Sequence, residues 1–386
     1  MPERVVITGL GVVSSLGCSV DDFEANLNLG KSGISKVTAF PTSRLERHYG
    51  GEIKKFALPK SFKKIGHLPR SHQFAIIASS SALKDSGLKV TKDVGVVLGS
   101  IVSGLEFVEG KDKFYYNYPV CAATANICHA CDLGGAAFTL SGACAAGNYA
   151  LSLAYDRIKN SEADVMLAGA ADYFALGTFV GLYRVFSMAD SLCQPFDKNR
   201  KGLIPAEGAG MLVLESLSSA KKRNACIYAE IIGYGVSTDA YHPLIPLVEG
   251  VYNCMENALD SCGLELTDID YINAHGTGTR LNDKTECAAI KKLFGKKRYK
   301  KIPVTSIKSM LGHAMGAASS IEAISCCLTI TSGIIPPTIN YETPDPECDV
   351  DCVSNKARRQ TVEVVLNNAF GFGGMNCSLV LARHVS

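Results

Sequence analysis

The 386-residue sequence contains no tryptophan and carries little net charge. Its 39 Lys and Arg residues nearly balance its 37 Asp and Glu residues, so the formal net charge is only +2. A nucleic-acid-binding surface usually shows a basic stripe interleaved with aromatic residues, and none stands out here. This composition argues against nucleic acid as a partner.

Long hydrophobic runs are also absent. No stretch reaches the ~20 uninterrupted apolar residues that a membrane-spanning helix needs. The N-terminal sequence MPERVVITGLGVV lacks the basic segment and long apolar segment of a signal peptide. With 47 % hydrophobic and 20 % charged residues, the composition is typical of a globular protein. We therefore predict a soluble protein of the cytoplasm.

Cysteine, in contrast, is abundant. The 15 cysteines are an odd number spread thinly over a long chain, which favours buried reduced thiols over a disulfide framework. Cys128, His129 and Cys131, with Cys121 upstream, come nearest to a zinc-binding pattern. No second close pair follows at zinc-finger spacing, and the segment is apolar and rich in alanine. We therefore predict no metal site.

Short β-branched runs alternate with helical patterns along the chain, which is typical of α/β layers. The predicted strands include residues 5–8, 94–98, 165–168, 211–214, 228–232, 271–274 and 362–366. The predicted helices include residues 74–85, 145–159, 251–260, 284–294 and 317–331.

An internal repeat divides the chain. Residues 81–100 and 257–276 share a helix end, a Gly-Leu pair, an acidic turn and a strand that runs into glycine. Residues 207–215 and 373–382 share a glycine turn followed by a strand. A repeat that occurs twice in this order predicts two duplicated α/β halves, residues 1–233 and 234–386, with helices between and outside two sheets.

A lone cysteine separates strand formers from helix formers in TLSGACAAGNYALSLA, residues 139–154. Cys144 either fills space at a strand–helix turn or is a reactive group. A thiol at the first turn of a helix lies near the partial positive charge of unpaired backbone N–H groups, which favours the thiolate. This position makes Cys144 a candidate nucleophile.

Three further segments stand out: INAHGTGTRLNDKTE, TSIKSMLGHAMGAASSIE and NNAFGFGGMN. Taken singly, a histidine after a strand is more often structural, and glycine turns usually serve the backbone. None is a dinucleotide fingerprint. TGLGVVSSLG comes nearer, but Ser14 stands where the third glycine is required, so we predict no nucleotide cofactor.

Taken together, these segments indicate one site. His275 and His313 each follow a predicted strand in the second half, and Cys144 follows one in the first. Equivalent loops of related halves would meet at one end of the sheets, where α/β folds place their sites. A cysteine at a helix start, two histidines and Lys308 would then converge.

In this order and spacing, the motifs resemble the elongating β-ketoacyl-acyl-carrier-protein synthases, which have a layered αβαβα thiolase-like fold. The resemblance runs nearly end to end, from RVVITGLGVVSSLG to FGFGGMNCSLVLA, and includes AHGTGT and the KSMLGHAMGA segment. It covers both the enzymes of fatty-acid synthesis and the ketosynthases of polyketide pathways.

The resemblance implies a decarboxylative condensation. Cys144 would accept an acyl group from a carrier-bound thioester. His275 and His313 would hydrogen-bond the thioester carbonyl of a malonyl group and stabilise the enolate that forms when CO2 leaves. The enolate would attack the acyl group and release a β-ketoacyl product two carbons longer. No cofactor is implied, because the substrates are carried on the phosphopantetheine of the carrier protein.

The resemblance also assigns supporting residues. Lys308 would be an orienting charge paired with Glu322. The backbone N–H groups of Cys144 and Phe372 would form the oxyanion site, with Phe372 as a gate and Phe370 lining the pocket. Thr277 and Thr279 would hydrogen-bond the pantetheine arm, and an acidic carrier protein would dock on a basic stretch that contains Lys60, Lys63, Lys64 and Arg70.

Some features leave the assembly and the substrate open. The segment Leu105–Gly134, which contains Tyr115, Tyr116 and Tyr118, is shorter than in the fatty-acid enzymes and would form dimer contacts and the acyl-pocket floor. The chain would form a homodimer, or a heterodimer with a related subunit. A thiolase that uses coenzyme A is an alternative. It would need a second reactive cysteine, but Cys377 lies at the start of a predicted strand and does not fit that role. A non-catalytic chain-length factor would lack the nucleophile.

Overall fold

A computed structural model describes residues 3–54, 56, 58, 60–89, 92–110 and 119–385, without the side chains of residues 60, 61, 63 and 107. Its strands are β1 (Val5–Val13), β2 (Ser35–Lys36), β3 (Tyr49–Gly50), β4 (Gly95–Gly99), β5 (Ala137–Leu140), β6 (Val165–Asp172), β7 (Gly208–Ser216), β8 (Ala229–Thr238), β9 (Tyr271–Asn273), β10 (Pro303–Thr305), β11 (Ile334–Ile335), β12 (Asp351–Cys352), β13 (Arg358–Arg359), β14 (Val364–Gly371) and β15 (Met375–Ala382). Its α-helices are α1 (Val20–Asn28), α2 (Arg70–Asp85), α3 (Leu105–Val108), α4 (Ala122–Cys131), α5 (Ala146–Lys159), α6 (Leu176–Arg184), α7 (Leu217–Lys222), α8 (Val248–Cys262), α9 (Arg280–Arg298), α10 (Lys308–Leu311) and α11 (Ala318–Ser332).

The main sheet has the strand order β5-β4-β6-β7-β1-β8-β15-β14-β9-β10-β12. In the first half, β4 is parallel to β5 and β6, and the pairs β6–β7 and β7–β1 are antiparallel. In the second half, β9 is parallel to β10 and β14, and the pairs β14–β15 and β15–β8 are antiparallel. The two halves therefore repeat one topology, and they join where β1 pairs with β8.

The repeated sequence segments occupy equivalent places in this topology. Residues 81–100 contain the end of α2 and the strand β4, and residues 257–276 contain the end of α8 and the strand β9. The glycine-led segments become β7 and β15. The division between residues 233 and 234 stays a prediction, and it falls inside β8, which is the first strand of the second half.

Helices fill the space between the half-sheets and cover their outer faces. α5 and α11 contact each other in the middle, where α5 packs on β4 and β6 and α11 packs on β7 and β14. On the outside, α2 covers β1 and β7, α8 covers β8 and β15, and α9 packs on α8. The result is an αβαβα arrangement. Every residue of α11 from Ala318 to Ile330 is buried, as a helix enclosed on all sides requires.

The central layer places the ends of two helices side by side. All nine residues of β1 are buried, because helices cover both faces of the sheet at this strand. α5 follows β5 and α11 follows β10, which are equivalent positions in the two halves. Cys144 lies in the turn just before α5, and His313 lies in the connection that leads into α11. In the described part of the chain, no helix is both long and apolar enough to cross a membrane.

Candidate active site

A strained turn presents Cys144 at the start of α5. The backbone N–H of Ala145 donates to the carbonyl of Gly142 at 3.0 Å, and that of Ala146 donates to the carbonyl of Ala143 at 3.1 Å. Ala143 has φ of +48°, in the left-handed region that residues with a side chain rarely adopt. This turn ends the strand, aims the next residue away from it, and starts the helix.

The turn brings Cys144 together with both histidines. The sulfur of Cys144 and a ring nitrogen of each of His275 and His313 lie within 4.8 Å of one another. The two imidazole rings are edge to face with centroids 5.5 Å apart, and the ring of Phe370 lies 6.0 Å from that of His275. Three residues that are far apart in sequence thus share one small volume.

Lys308 lies behind the histidines as a fully buried ion pair with Glu322 of α11. The second carboxylate oxygen of Glu322 has no hydrogen-bond partner among the described residues. Burial raises the pKa of Glu322 to about 7, and the charge of Lys308 opposes this shift. Burial first, and then the ammonium of Lys308, lowers the pKa of His275 and of His313, which favours their neutral forms.

His313 is held by its backbone and by its ring. Its N–H donates to the carbonyl of Ile204 at 2.7 Å, and its carbonyl accepts from the N–H of Ala206 at 2.8 Å. Its Nδ1 accepts a hydrogen bond from the N–H of Met315 at 3.1 Å. Burial, followed by Lys308, holds the pKa of His313 well below 6.5, so the ring is neutral. Because Nδ1 accepts, the proton of the neutral ring is on Nε2, which is a donor.

Two acidic residues on α9 hold the turn of His275, and the sequence analysis missed both. Glu286 accepts the backbone N–H groups of His275 and Gly276 at 2.8 Å each. Asp283 accepts the N–H of Gly278 at 3.2 Å. The signal that would have found them is their three-residue spacing on the helix that follows the AHGTGT turn, which puts both carboxylates on one face.

Burial dominates the electrostatics of His275 and Glu286. The pKa of His275 is well below 6.5, because of burial first and then the charges of Lys308 and His313. Its Nδ1 has no hydrogen-bond partner among the described residues. Burial raises the pKa of Glu286 to about 7, although its two backbone hydrogen bonds favour the ionised form.

The thiol of Cys144 differs from the sequence-based expectation. Burial raises its pKa to about 11, although Lys308 and the backbone N–H of Phe372 both lower it. The helix start was expected to favour the thiolate, but the cysteine is only 8 % exposed and loses most of its hydration. The resting group at neutral pH is therefore the thiol.

The glycine loop after β14 packs directly against the cysteine turn. A Cβ on Gly371 would lie 2.8 Å from the Cβ of Ala143 and 3.1 Å from the backbone nitrogen of Cys144. Only glycine permits this approach. The loop places the N–H of Phe372 toward the Cys144 sulfur. Phe372 is 40 % exposed, whereas Phe370 is buried.

A cavity of about 270 Å³ connects this group to the surface. Exposed apolar residues form its rim, including Val185, Phe186, Leu281 and Phe372. Thr277 and Thr279 line the passage, and their hydroxyls hydrogen-bond to each other at 2.8 Å. Cys144, both histidines and Phe370 line the buried end.

An aromatic cluster backs the apolar part of the buried end. Leu182, Leu203 and Met315 line the cavity and belong to one cluster with Phe40, Phe174 and Phe179. Phe40 stacks on Phe174 with centroids 5.4 Å apart and meets Phe179 edge to face at 5.3 Å. The aromatic rings therefore lie behind the aliphatic side chains that line this part of the cavity.

None of the described side chains of the basic stretch lines this cavity. Lys60 and Lys63 lie in the 3-10 helix Lys60–Ile65, and their side chains are outside the described part of the chain. Lys64 is exposed. Arg70 donates to buried Glu207, with one contact of 2.7 Å, and to the carbonyl of Ile53. Its guanidinium is thus already engaged within the fold. Tyr115, Tyr116 and Tyr118 lie outside the described residues.

Comparisons with known proteins agree with this geometry. Residues 2–220 match the family model described as the N-terminal domain of beta-ketoacyl synthase, and residues 228–342 match its C-terminal domain. A 3-oxoacyl-[acyl-carrier-protein] synthase 2 from Coxiella burnetii is 39 % identical over 409 residues, which cover 99 % of each chain.

Two solved structures share the whole fold. The ishigamide ketosynthase/chain length factor is 36 % identical with a TM-score of 0.93, covering 100 % of each chain. A type II polyketide ketosynthase, solved in complex with its acyl-carrier protein and bound to the hexaketide, is 30 % identical with a TM-score of 0.91 and the same coverage. The thiolase-like fold predicted from the sequence is confirmed.

Proposed function

Because the chain belongs to the β-ketoacyl synthase family, we propose that it condenses an acyl group on Cys144 with a malonyl group on an acyl-carrier protein. The roles assigned to these residues rest on one observation: the Cys144 sulfur and a nitrogen of each histidine lie within 4.8 Å of one another. They do so at the buried end of a cavity whose other end is open. A thioester brought in on a flexible arm would meet all three groups at once.

In the first step, the Cys144 sulfur attacks the carbonyl of the acyl thioester, and the bond to the carrier sulfur breaks. The thiol is protonated at rest, and its proton passes to the departing carrier sulfur, which leaves as a thiol. The backbone N–H groups of Cys144 and Phe372 stabilise the oxyanion of the tetrahedral intermediate.

In the second step, malonyl carrier protein occupies the same cavity. The Nε2–H of His313 and the ring of His275 donate to its thioester carbonyl. The bond between the carboxylate carbon and the methylene carbon breaks, CO2 leaves, and the electrons of that bond form an enolate. The enolate carbon attacks the acyl carbonyl, the bond to Cys144 breaks, and the sulfur, released as a thiolate, takes a proton from solvent. The products are CO2 and a β-ketoacyl chain two carbons longer on the carrier.

We propose that no metal takes part, although Cys144, His275 and His313 together offer a sulfur and two nitrogens to an ion. A metal-ligating histidine binds through one nitrogen and donates a proton from the other. His313 has the opposite arrangement, because its Nδ1 accepts from Met315 and its Nε2 bears the proton. The adjacent ammonium of Lys308 would also repel a cation.

The thiolase alternative is not favoured. Cys377 is fully buried in β15, next to Ser152, and does not line the cavity. The chain-length-factor alternative is not favoured either, because the nucleophile and both histidines are present. A heterodimer with a related subunit stays open beside a homodimer, and a mass measurement of the purified chain in solution would distinguish them. The cytoplasmic location stays a prediction, supported by 15 free thiols.

Mass spectrometry of the acylated protein tests the proposal. The full chain is incubated with an acyl-carrier protein that bears a labelled acyl group, and malonyl-carrier protein follows. We expect the label on the Cys144 peptide, then a product longer by two carbons. Cys144→Ala should take up no label, and the matched control Cys377→Ala should label normally. Acylation of Cys144→Ala, or labelling from coenzyme A thioesters alone, would contradict the proposal.

A further inference from the structure

Asp172, the last residue of β6, is a fully buried carboxylate that touches both halves of the molecule. Its Oδ1 accepts the hydroxyl of Ser100 at 2.6 Å and the N–H groups of Ile101 and Val102 at 3.1 Å each. Its Oδ2 accepts the N–H of Gly316 at 2.7 Å. Asp172 is not among the residues that line the cavity.

Four donors directed at one carboxylate indicate that the group is ionised. Burial raises the pKa of Asp172 to about 6, and the hydrogen bonds from Ser100, Val102, Ile101 and Gly316 oppose this shift. The carboxylate is therefore predominantly charged at neutral pH. A buried charge with all of its hydrogen bonds satisfied fixes the backbone that supplies them.

The bond from Gly316 anchors the turn that holds the ring of His313. Gly316 is the middle residue of the 3-10 turn Met315–Ala317, which leads into α11. A Cβ on Gly316 would lie 2.7 Å from Oδ2 of Asp172, so the turn is pressed against the carboxylate. Met315 has φ of +55°, a strained value for a residue with a side chain. Its N–H is the donor to Nδ1 of His313.

We infer that Asp172 is a positioning residue that sets the tautomer of His313. By holding Gly316, the carboxylate keeps Met315 in its strained conformation with its N–H aimed at Nδ1, and the ring proton stays on Nε2. The inference rests on the proposed function for its catalytic meaning. The link from Asp172 to the tautomer holds in the ligand-free protein and needs no substrate.

The tautomer decides what the ring presents to a carbonyl oxygen. With the proton on Nε2, His313 donates to the developing enolate oxygen. With the proton on Nδ1, the ring presents a lone pair to that oxygen and repels it. Asp172, in the first half of the chain, does not touch substrate but thereby controls His313, a hydrogen-bond donor to substrate in the second half.

Nitrogen-15 NMR of the histidine rings in the full chain tests the inference without substrate. The signal of His313 is assigned by comparison with a His313→Gln spectrum. We expect a protonated Nε2 in the wild type. In Asp172→Asn, the three donors on the Oδ1 side favour the amide oxygen there, which turns the NH2 group toward the Gly316 N–H. The spectrum should then show a mixture of tautomers.

Two further variants make the result decisive. Gly316→Ala moves the turn away from the carboxylate, leaves Asp172 itself unchanged, and should shift the tautomer in the same way. This variant also tests the inference if Asp172→Asn fails to fold. Ser100→Ala removes a hydrogen bond from the other oxygen and is the matched control, with an unchanged tautomer. An unchanged tautomer in both folded Asp172→Asn and Gly316→Ala would overturn the inference.

Half-reactions give a second readout. In Asp172→Asn, decarboxylation of malonyl-carrier protein should fall about tenfold, which is less than the ~10² expected on deleting an enolate-stabilising donor. Acyl transfer to Cys144 should change far less. Equal losses in both half-reactions would indicate a merely structural role for Asp172. If no variant, including the wild type, labels Cys144, the proposed function fails, while the NMR result on the tautomer still stands.

Discussion

At the scale of single residues, Lys308 governs the electrostatics of the site without touching the cavity. Burial is the main cause of the raised pKa of Cys144; the charge of Lys308 lowers this pKa, and Asp172 and Glu322 raise it. The balance of this pair therefore modulates how readily the buried thiol ionises. The side chain is held by Glu322 and has no exposed surface, so an orienting and electrostatic role fits it better than a nucleophilic one.

Replacing the two members of this pair should change the reactivity of Cys144 in opposite directions. Lys308→Met should slow alkylation of Cys144 by iodoacetamide at pH 8 several-fold, because the thiol pKa rises further above its normal range. Glu322→Gln should accelerate it. Mass spectrometry of the Cys144 peptide over time measures both rates. The same direction of change in the two variants would contradict this account.

The histidines should separate the two half-reactions. His275→Ala and His313→Ala should still accept an acyl group on Cys144, but condensation should fall by ~10² or more, because one enolate-stabilising donor is lost. Acylation is followed by protein mass and condensation by product formation. Unchanged turnover in either variant would refute the roles given to the histidines.

At the scale of secondary-structure elements, α9 fixes the His275 turn through Glu286. Glu286→Gln keeps one acceptor oxygen where the carboxylate offers two, so one of the N–H groups of His275 and Gly276 loses its partner. We expect kcat to fall about tenfold with a smaller change in KM, since the reacting geometry is disturbed more than binding. Steady-state kinetics measures the split, and Glu256→Gln on the solvent side of α8 is the control.

The element α6 bears on the length of the acyl chain, because Phe179 is part of the wall behind the cavity. A cavity of about 270 Å³ is small for a site that must admit a pantetheine arm and an acyl chain, since pockets for drug-sized ligands are about 300–1,000 Å³. We predict that Phe179→Leu shifts the preferred acyl primer to longer chains, measured with a panel of primers. Phe23→Leu, equally buried in α1 and remote from the cavity, is the control for lost packing.

At the scale of the whole molecule, buried carboxyl groups make stability depend on pH. Burial raises the pKa of Glu106 to about 7, and its Oε2 has no hydrogen-bond partner among the described residues. Because the folded-state pKa lies above the unfolded value of ~4.3, this group stabilises the fold at low pH. The contribution is lost as the pH rises toward 7.

Glu106→Gln should remove this dependence. Between pH 5 and pH 8, the free energy of unfolding of the wild type should fall by ~2 kcal/mol more than that of the variant. Urea unfolding at several pH values gives the difference directly, and contributions of the other buried carboxyls cancel in it. Parallel curves for the two proteins would contradict a raised pKa at Glu106.

Local patterns in the sequence predict much of the fold but only part of the active site. The buried strands and the helix over Ala146–Lys159 follow from β-branched runs and helical periodicity, and the repeat of residues 81–100 and 257–276 indicates the duplication. The pairing of β1 with β8 leaves no local trace. Glu286 was missed although its spacing from Asp283 is a local signal, whereas Asp172 was missed because only the folded chain brings the N–H of Gly316 near it. The pKa of Cys144 differed from expectation because its burial is a property of the whole fold.

Both halves contribute residues to one active site, so the chain cannot be divided or recombined without dividing that site. A cut in the connection 223–228, between α7 and β8, would leave the sulfur on one polypeptide and both imidazoles on the other. Neither fragment would be a smaller enzyme, and turnover would return only when the pieces reassociate. A chimera that combines halves of two relatives would therefore contain half of each active site. The interface between the two halves must match before the activities of such chimeras can be compared.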